Sequence, residues 1–485
     1  MTQQGRGFDK LLHDRTILPL RVVLPITSIG VFMSAMDGSI VNVSLETMEI
    51  ALGTDLGGIR WVVIIYLLTI TSLIGLGGWL GDNFGRKKVF QFGMGIFISG
   101  SLLCSFSFSL ELLLIARIIQ AIGSAGLMAN GLAIVITFVE PAWRGRAIGI
   151  NSLVVASALS TGPVIGGVLT QSFGWPSIFL INVPIGLVGI LLTQITIPET
   201  PKKPAGNLDY IGMATFALTA LAFVLGVTLL FNENQDIGAI YLGILSIAVS
   251  IITGTIFIFQ ENRHSNPMIS IRIMKDRKIL AGAVSAFFCY MTINGAFFLL
   301  PFYYQEVLLF SQSTTGMLLI VSPLVMSISG PVTGLLAEKI DARKLATTGA
   351  VLEGIFIIIL ATINPGMSLL IIIVLVALSA GSLALFTNSN GTSVMNAAPK
   401  ENISVVSGIL NLSRNVAFAL GTALSTSIFG LVFAMYNTSG VLDGPVFETA
   451  YYTGLGVTFA VFALFALIGA LVSMLRGRER PVLTT

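Results

Sequence analysis

Apolar runs long enough to cross a bilayer recur along almost the whole chain. A helix needs about 20 apolar residues to span a hydrocarbon core about 30 Å thick. Only 10% of the 485 residues are charged and the mean hydropathy is +0.92, whereas a soluble domain carries about 25% charged residues. The sequence therefore predicts an all-α, polytopic membrane protein that lies in the lipid bilayer.

Charged residues and clusters of Gly, Pro and Asn divide the apolar sequence into fourteen predicted spans. These spans cover residues 18–45, 59–79, 88–108, 111–137, 146–170, 177–197, 209–231, 238–259, 279–302, 313–336, 345–363, 367–392, 403–434 and 450–475. An even number of spans places both termini on the same side of the membrane.

The distribution of Lys and Arg indicates which side that is. With fourteen spans, all of the 26 bases except Arg60, Arg117 and Arg414 lie at the termini or in the loops on one side of the membrane. The loops on the other side carry acids and almost no bases. Because Lys and Arg concentrate in cytoplasmic loops, the sequence predicts that both termini are cytoplasmic.

A charged turn separates the second and third predicted spans. Its sequence is Gly78-Trp79-Leu80-Gly81-Asp82-Asn83-Phe84-Gly85-Arg86-Lys87-Lys88. A degenerate copy at 334–344 follows the tenth span, so a second six-helix half begins at span nine and spans seven and eight form an inserted hairpin. The turn is predicted to be cytoplasmic and close to the contact between the halves. We therefore expect it to gate a conformational change through the residues Gly78, Asp82, Gly85, Arg86 and Lys87.

This repeat predicts the order of segments along the chain. The segments are a cytoplasmic tail at 1–17, a six-helix half at 18–197, a cytoplasmic linker at 198–208, the inserted hairpin at 209–259, an interfacial linker at 260–278, a six-helix half at 279–475 and a tail at 476–485. Two parallel six-helix halves with a substrate cavity between them form a known transporter plan.

Four charged residues lie deep within the predicted spans, away from the span ends: Asp37, Arg117, Glu353 and Arg414. A charge at the bilayer centre costs about 2.5–3.5 kcal/mol, so such residues are usually paired or functional. Asp37, with Asn42 on an adjoining helix face, can exchange a proton or attract a cation, and the alternative is an acid permanently neutralised by an arginine. Arg117 can tune a nearby acid or form a structural pair.

The other two embedded charges have weaker claims to function. Glu353 lies in the third helix of its half, a peripheral position that favours a structural or interfacial role over a part in coupling. Arg414 lies on the cytoplasmic half of its span, where an arginine can extend to the membrane surface.

The fifth span contains the small residues Gly162, Gly166 and Gly167 together with Pro163. Small residues let helices approach closely, and proline frees a backbone carbonyl and permits a bend. This pattern predicts a hinge or a tight helix crossing.

These motifs together resemble the major facilitator superfamily, in its fourteen-helix drug:proton antiporter branch. The turn at 78–88 is similar to the superfamily's loop between helices two and three, and 37–42 resembles the helix-one motif of the branch. Residues 117–120, ending in Gln120, resemble its helix-four motif, and 162–167 its helix-five antiporter motif. Four positions depart from the branch pattern: Ser39 replaces threonine, Ala121 replaces glycine, Glu46 stands near a usual proline, and Pro176 replaces the usual arginine after Trp175. The resemblance covers about residues 20 to 475.

The resemblance implies alternating access driven by inward proton flow in a prokaryotic cell membrane. Asp37 would carry the proton or sense the substrate, Arg117 would modulate it, and Asn42 and Gln120 would belong to the same coupling motifs. The cargo would be hydrophobic or amphipathic compounds, cations among them. The proton gradient would supply the energy without a cofactor or metal, and the protein would act as a monomer without nucleic acid.

Functions other than drug export are also possible for a chain of this kind, and the sequence favours them to different degrees. A protein of the same fold can export an endogenous metabolite, a lipid or a siderophore, or import a nutrient. An intramembrane enzyme is disfavoured because the spans contain no histidine, no acid cluster and no paired metal-ligand motif. A primary pump is disfavoured because the chain has no phosphate-binding loop.

Overall fold

Helices and their connections make up the described part of the protein. The computed structural model describes residues 20–139, 144–199, 209–230, 237–264, 273–337, 340–397, 403–436 and 445–476. The predicted tail at 1–17 lies outside these residues, as do 477–485 of the second tail, 200–208 of the first linker and 265–272 of the second. The predicted all-α class is confirmed for the described residues.

The first half contains six long helices. They are α1 Leu20–Leu52, α2 Trp61–Phe84, α3 Arg86–Ser105, α4 Leu110–Phe138, α5 Arg144–Phe173 and α6 Asn182–Thr196. Short helices at Leu56–Ile59 and Ser177–Leu180 precede α2 and α6. Two helices, α7 Tyr210–Leu230 and α8 Ile237–Arg263, follow this half.

The rest of the chain contains a second set of long helices. They are α9 Arg277–Phe298, α10 Val321–Ala337, α11 Ala342–Leu360, α12 Leu369–Ala397, α13 Ile403–Tyr436 and α14 Pro445–Met474. Between α9 and α10 lie the short helix Leu300–Phe302, a π-helical turn at Tyr303–Val307 and the helix Gln312–Leu319. A short 3-10 helix, Ile273–Lys275, precedes α9.

Twelve helical stretches of the described chain are long and apolar enough to cross a membrane. Helices α5 and α11, which occupy the predicted spans 146–170 and 345–363, are not among these twelve. Within α11, Arg343, Lys344 and Glu353 interrupt the apolar sequence. The protein is therefore a multi-span helical membrane protein, and the count of fourteen spans stays a prediction.

Packing within the two sets of helices follows the same pattern. In the first half α1 packs on α5, α3 on α4, and α2 on α4; in the second half α9 packs on α13, α11 on α12, and α10 on α12. Between the halves, α2 contacts α13, and α5 contacts α10 and the helix Gln312–Leu319. Each half thus presents its second and fifth helices to the other half.

The pair α7–α8 lies beside one of these two contacts. The two helices pack on each other, and α7 also contacts α2 and α13. Tyr210, the first residue of α7, stacks edge-on against Trp79 of α2, with ring centroids 6.3 Å apart. The pair is therefore placed against the line along which α2 meets α13.

Candidate functional site

A buried ion pair lies at the centre of the first half. Arg117 of α4 donates from Nη1 to Oδ2 of Asp37 on α1 at 2.5 Å. The side chains of Asp37 and Arg117 are 0% and 1% exposed. The sequence predicted that these charges are functional or paired, and the structure brings them into direct contact.

Three neutral side chains complete the surroundings of Asp37. Gln120 donates from Nε2 to Oδ1 of Asp37 at 2.7 Å and accepts from Arg117 at 2.6 Å. Asn182 of α6 donates to the same Oδ1 at 3.1 Å, and Ser101 of α3 accepts from both amides. Both carboxylate oxygens of Asp37 therefore have partners, and four helices meet at this one group.

The guanidinium of Arg117 has further partners in α2. Its Nε donates to the carbonyl oxygen of Val62 at 3.1 Å. Its Cζ lies 3.9 Å from the ring centroid of Tyr66, where the negative ring face attracts the cation. These contacts hold Arg117 in place independently of Asp37.

Asn42 lies apart from this network. Its Oδ1 is buried and has no hydrogen-bond partner among the described residues. Five positions rotate a helical side chain by about 140° from Asp37, so the two residues occupy different faces of α1. The sequence motif placed them together, but the structure directs only Asp37 into the first half.

Glu353 belongs to a separate site in the second half. Its side chain is 0% exposed and is therefore buried within the protein. Neither carboxyl oxygen has a nitrogen or oxygen partner among the described residues, and the carboxyl interacts with the thiol of Cys289 on α9. The structure does not join Glu353 to Asp37.

The charged turn between α2 and α3 is held by contacts within the first half. Gly85 has φ 102° between the two helices, a conformation that favours glycine. Arg86 donates from Nη2 to Oδ1 of Asp82 at 2.7 Å and from Nη1 to the Ala133 carbonyl of α4 at 3.0 Å. Lys87, 5% exposed, donates to a backbone carbonyl of α6 at 3.2 Å. The turn thus ties α2 and α3 to α4 and α6.

The copy of this turn before α11 is described only in part. Residues 338–339 lie outside the described chain. Asp341 caps α11 by accepting from the backbone N–H of Arg343 at 2.8 Å.

Gly78, in the first turn, has no atom within 4 Å of the position that a Cβ would take, so close packing does not require glycine there.

The glycines of α5 lie at close helix contacts. A Cβ on Gly162 would collide with Ser39, and one on Gly166 would lie 2.7 Å from the Ile40 carbonyl oxygen, both on α1. A Cβ on Gly167 would lie 3.0 Å from Cα of Ser313 in the second half. On the facing helix, a Cβ on Gly316 would lie 3.2 Å from Cα of Val164, which follows Pro163. The small residues therefore permit one crossing within the first half and one between the halves.

Hydrogen bonds join the halves at the end predicted to face away from the cytoplasm. Arg60, 6% exposed, donates to the hydroxyls of Thr426 and Ser427 on α13. Gln312 donates to Thr47 of α1 at 3.4 Å, and the backbone N–H of Ser313 donates to α5. Arg60 was an exception to the charge distribution, and this contact explains its position. We call the surface along which the two halves meet the seam.

Several residues of these sites were not predicted from the sequence. Asn182, Ser101 and Tyr66 surround the ion pair, and Cys289 faces Glu353. Asn182 is a polar amide within an apolar span, which is the one sequence signal that pointed to it. Ser101 and Tyr66 are ordinary residues of membrane helices, so their part in the network depends on the tertiary arrangement. Arg414 is half-buried on α13.

Two helical bundles that meet along two helix pairs, with a buried ion pair inside one bundle, are the architecture of a multi-span helical membrane protein. The sequence pattern of the Major Facilitator Superfamily matches residues 27–422. The chain belongs to this superfamily, and its relatives point to transport across the cell membrane in place of catalysis.

The similar proteins include a vitamin transporter, an antibiotic resistance protein and a multidrug export protein. The chain is 33% identical to the riboflavin transporter RibZ of Clostridioides difficile, over 84% of this chain and 88% of that protein. It is 29% identical to the methylenomycin A resistance protein of Streptomyces coelicolor, over 84% and 86% of the two chains. It is 27% identical to the multidrug export protein EmrB of Escherichia coli, over 83% and 78%.

Solved structures share the fold. A bacterial homologue of the human lysosomal transporter Spinster, in an inward-facing and unoccupied conformation, has a TM-score of 0.68 at 16% identity, over 96% of this chain and 99% of that one. The inward-open xylose transporter XylE of Escherichia coli has a TM-score of 0.64 at 11% identity, over 96% and 98%.

Proposed function

We propose that the protein is a proton-coupled antiporter that exports hydrophobic or amphipathic compounds, cations among them, by alternating access. The observation that carries this proposal is the buried pair of Asp37 and Arg117. The proton gradient is its energy source, no cofactor takes part, and the monomer is the working unit.

Proton binding at Asp37 provides a physical means of coupling. A proton on the carboxylate removes the negative charge and leaves Arg117 as a buried cation without its counter-ion. Breaking a buried pair in this way costs about 3–5 kcal/mol, and each 1.4 kcal/mol changes an equilibrium about tenfold. Protonation is therefore sufficient to lower the population of this conformation relative to the others by about a hundredfold or more.

The packing of Asp37 links its charge to several helices of the first half. Its partners lie on α4 and α6, two of these partners also donate to Ser101 of α3, and Arg117 also contacts α2. Loss of the pair therefore alters contacts on every one of these helices. Helix α2 also contacts α13 of the other half, which gives the change a route to the interface.

The charged turn is proposed to stabilise one access state. Asp82, Arg86 and Lys87 tie the cytoplasmic ends of α2 and α3 to α4 and α6, while Gly78 and Gly85 complete the turn. The glycines of α5 allow the opposite ends of the halves to pack closely. Movement between the access states then separates one end of the interface while the other closes.

We further propose the fourteen-span topology with both termini in the cytoplasm. In support, each half presents its second and fifth helices to the other, as expected of two six-helix repeats. The pair α7–α8 stands outside this pattern and packs beside α2 and α13, as an inserted hairpin would. The multidrug and resistance proteins among the relatives support the drug:proton branch.

Glu353 receives a smaller part in this proposal. Its buried carboxyl has only a thiol partner among the described residues, and an unpaired charge in such a place is costly. We propose that it holds its proton in this conformation and supports the packing of α9, α11 and α14. A part in coupling would require that the proton leaves during transport.

A second candidate function is the transport of a vitamin or a similar nutrient across the membrane. The observation that favours it is the 33% identity with a riboflavin transporter. Export of an endogenous metabolite, a lipid or a siderophore is compatible with the same fold. The site at Asp37 serves any of these cargoes, because it concerns the driving proton.

Transport in everted membrane vesicles tests these candidates together. Vesicles that contain the full chain would be energised with an inward-acid proton gradient and offered ethidium, tetraphenylphosphonium or riboflavin. Accumulation of a dye that stops when the gradient is collapsed supports drug:proton antiport. Accumulation of riboflavin alone supports export of a vitamin, and gradient-driven loss of preloaded riboflavin supports its import. Dye transport that does not depend on the gradient contradicts proton coupling.

A further inference from the structure

Two carboxyls from opposite halves lie near each other at the outer end of the seam. Glu46 is on α1, and Glu306 is on the π-helical turn Tyr303–Val307, a type of turn that is frequent at functional sites. The two carboxyls interact electrostatically, and the hydroxyl of Tyr451 on α14 donates to Glu306. Neither acid takes part in the ion pairs of the described residues. The two carboxyls therefore lie across the seam from each other without a cation partner among the described residues.

Gln305, a buried side chain with an unpaired acceptor oxygen, lies at the same end of the seam as the two carboxyls. Gln305 is 6% exposed and donates from Nε2 to the Val43 carbonyl oxygen of α1 at 3.3 Å. This bond places its amide against α1, within one helical turn of both Asn42 and Glu46. Its Oε1 is buried and has no partner among the described residues, as is also true of Oδ1 of Asn42. Because Asn42 and Glu46 are four residues apart, they share a face of α1.

Aromatic rings form a wall beside these acceptors. The ring centroids of Tyr303 and Tyr451 are 6.5 Å apart, those of Tyr303 and Tyr452 5.9 Å, and those of Phe429 and Tyr451 4.9 Å. The negative faces of such rings attract cations. The nearby donors on Gln305 and Tyr451 are already used, whereas two neutral acceptors are not.

We infer that Asn42, Glu46, Gln305, Glu306 and Tyr451 form a binding site for a protonated amine. Such a ligand supplies the positive charge and the N–H donors that this group of residues lacks. The inference rests on the proposed function and makes amines that carry N–H groups the preferred cargo among its cations. A quaternary cation brings charge without donors, and a neutral flavin brings no charge.

The position of the site relates it to the direction of transport. Glu46 belongs to the first half and Glu306 to the second, so the site is complete only while the outer ends of the halves are together. Separation of these ends divides the two carboxyls and weakens the hold on the amine. This order suits an exporter, which must release its cargo to the outside.

Transport of two matched cations in everted vesicles tests the inference. The probes are monodansylcadaverine, a primary amine that is protonated at neutral pH, and tetraphenylphosphonium, which has no N–H group. A charge-assisted hydrogen bond contributes about 1.5–3 kcal/mol, so Glu46→Gln and Glu306→Gln should each raise the half-saturating amine concentration about tenfold or more. Gln305→Met should raise it for the amine and leave it unchanged for tetraphenylphosphonium.

The control is Glu448→Gln, which changes an exposed acid in the first turn of α14. An unchanged half-saturating amine concentration in both Glu46→Gln and Glu306→Gln overturns the inference, as does wild-type protein that carries tetraphenylphosphonium and rejects the amine. The proposed function survives either result if the transport of the probe that is carried still depends on the proton gradient. It fails separately if no probe moves in response to the gradient. Glutamine keeps an acceptor for Tyr451, and size-exclusion chromatography of each variant confirms that it folds.

Discussion

Arg117 of α4 lies 2.5 Å from Asp37 of α1, and both side chains are shut away from the surface of the protein. Gln120 contacts both partners, and Asn182 contacts the carboxylate. The pair therefore combines two properties that proton coupling requires: a carboxylate that can lose its charge, and a cation whose energy depends on that charge.

Removing the cation should destabilise the first half. In Arg117→Ala, Asp37 keeps its amide partners and loses its counter-ion, which costs about 3–5 kcal/mol for a buried pair. We expect a lower midpoint of thermal unfolding in detergent and a loss of transport. Arg263→Ala is the control, because that arginine is exposed and stacks on Phe259 alone of the described rings. Equal midpoints for the two variants would show that the pair contributes nothing to stability.

Enlarging Gly167 should hold the outer ends of the halves apart. A Cβ there would lie 3.0 Å from Ser313 Cα and closer still to the Gln312 carbonyl, and backbone atoms cannot turn aside as a side chain can. With a Thr47→Cys reporter beside Gln312, Gly167→Val should react faster with a membrane-impermeant maleimide added from outside. Gly95→Val, where a Cβ would meet open space, should react at the wild-type rate. A slow reaction in both would contradict the close crossing as the determinant of closure.

Changing the charged turn should slow the conformational cycle without weakening substrate binding. Asp82→Asn removes the partner of Arg86, so the ends of α2 and α3 lose part of their attachment to α4. We expect a lower maximal rate of transport with the half-saturating concentration unchanged. Glu199→Gln, which alters a more exposed acid 3.9 Å from Lys88, is the matched control. A raised half-saturating concentration in Asp82→Asn would assign the turn to binding.

Glu353 should tolerate replacement of its carboxyl by an amide but not loss of its volume. Glu353→Gln keeps the size of the side chain and a group that can face Cys289, so we expect transport close to that of the wild type. Glu353→Ala leaves a cavity in the second half, which costs about 2–5 kcal/mol by analogy with other large-to-alanine changes, and should lower the unfolding midpoint. Loss of proton-driven transport in the well-folded glutamine variant would instead place Glu353 in the coupling.

The sequence predicted the parts of the site that depend on the high cost of charge in a membrane. Asp37 and Arg117 were found because an isolated charge is unstable within an apolar helix, and their contact follows from the same cost. The turn at Gly85 was visible because glycine and charge interrupt an apolar sequence.

Other parts depend on how the helices pack and left little trace in the sequence. Arg60 was only an exception to the charge distribution until the structure placed it against α13. Asn42 was grouped with Asp37 by a motif, yet helical rotation directs it to a different face of α1. Ser101 resembles many serines of other membrane helices, so its place beside Gln120 and Asn182 was hidden.

Substitution of Asp37 by asparagine is the most direct test of the central claim. Asparagine preserves the shape of the side chain but carries no exchangeable charge, so the variant should fold, bind substrate and fail to accumulate it in response to a proton gradient. The measurement is gradient-driven uptake into everted vesicles, with binding to purified protein measured in parallel. Binding without accumulation is the result that this account expects. Full gradient-driven uptake by Asp37→Asn would contradict it and remove Asp37 from the mechanism.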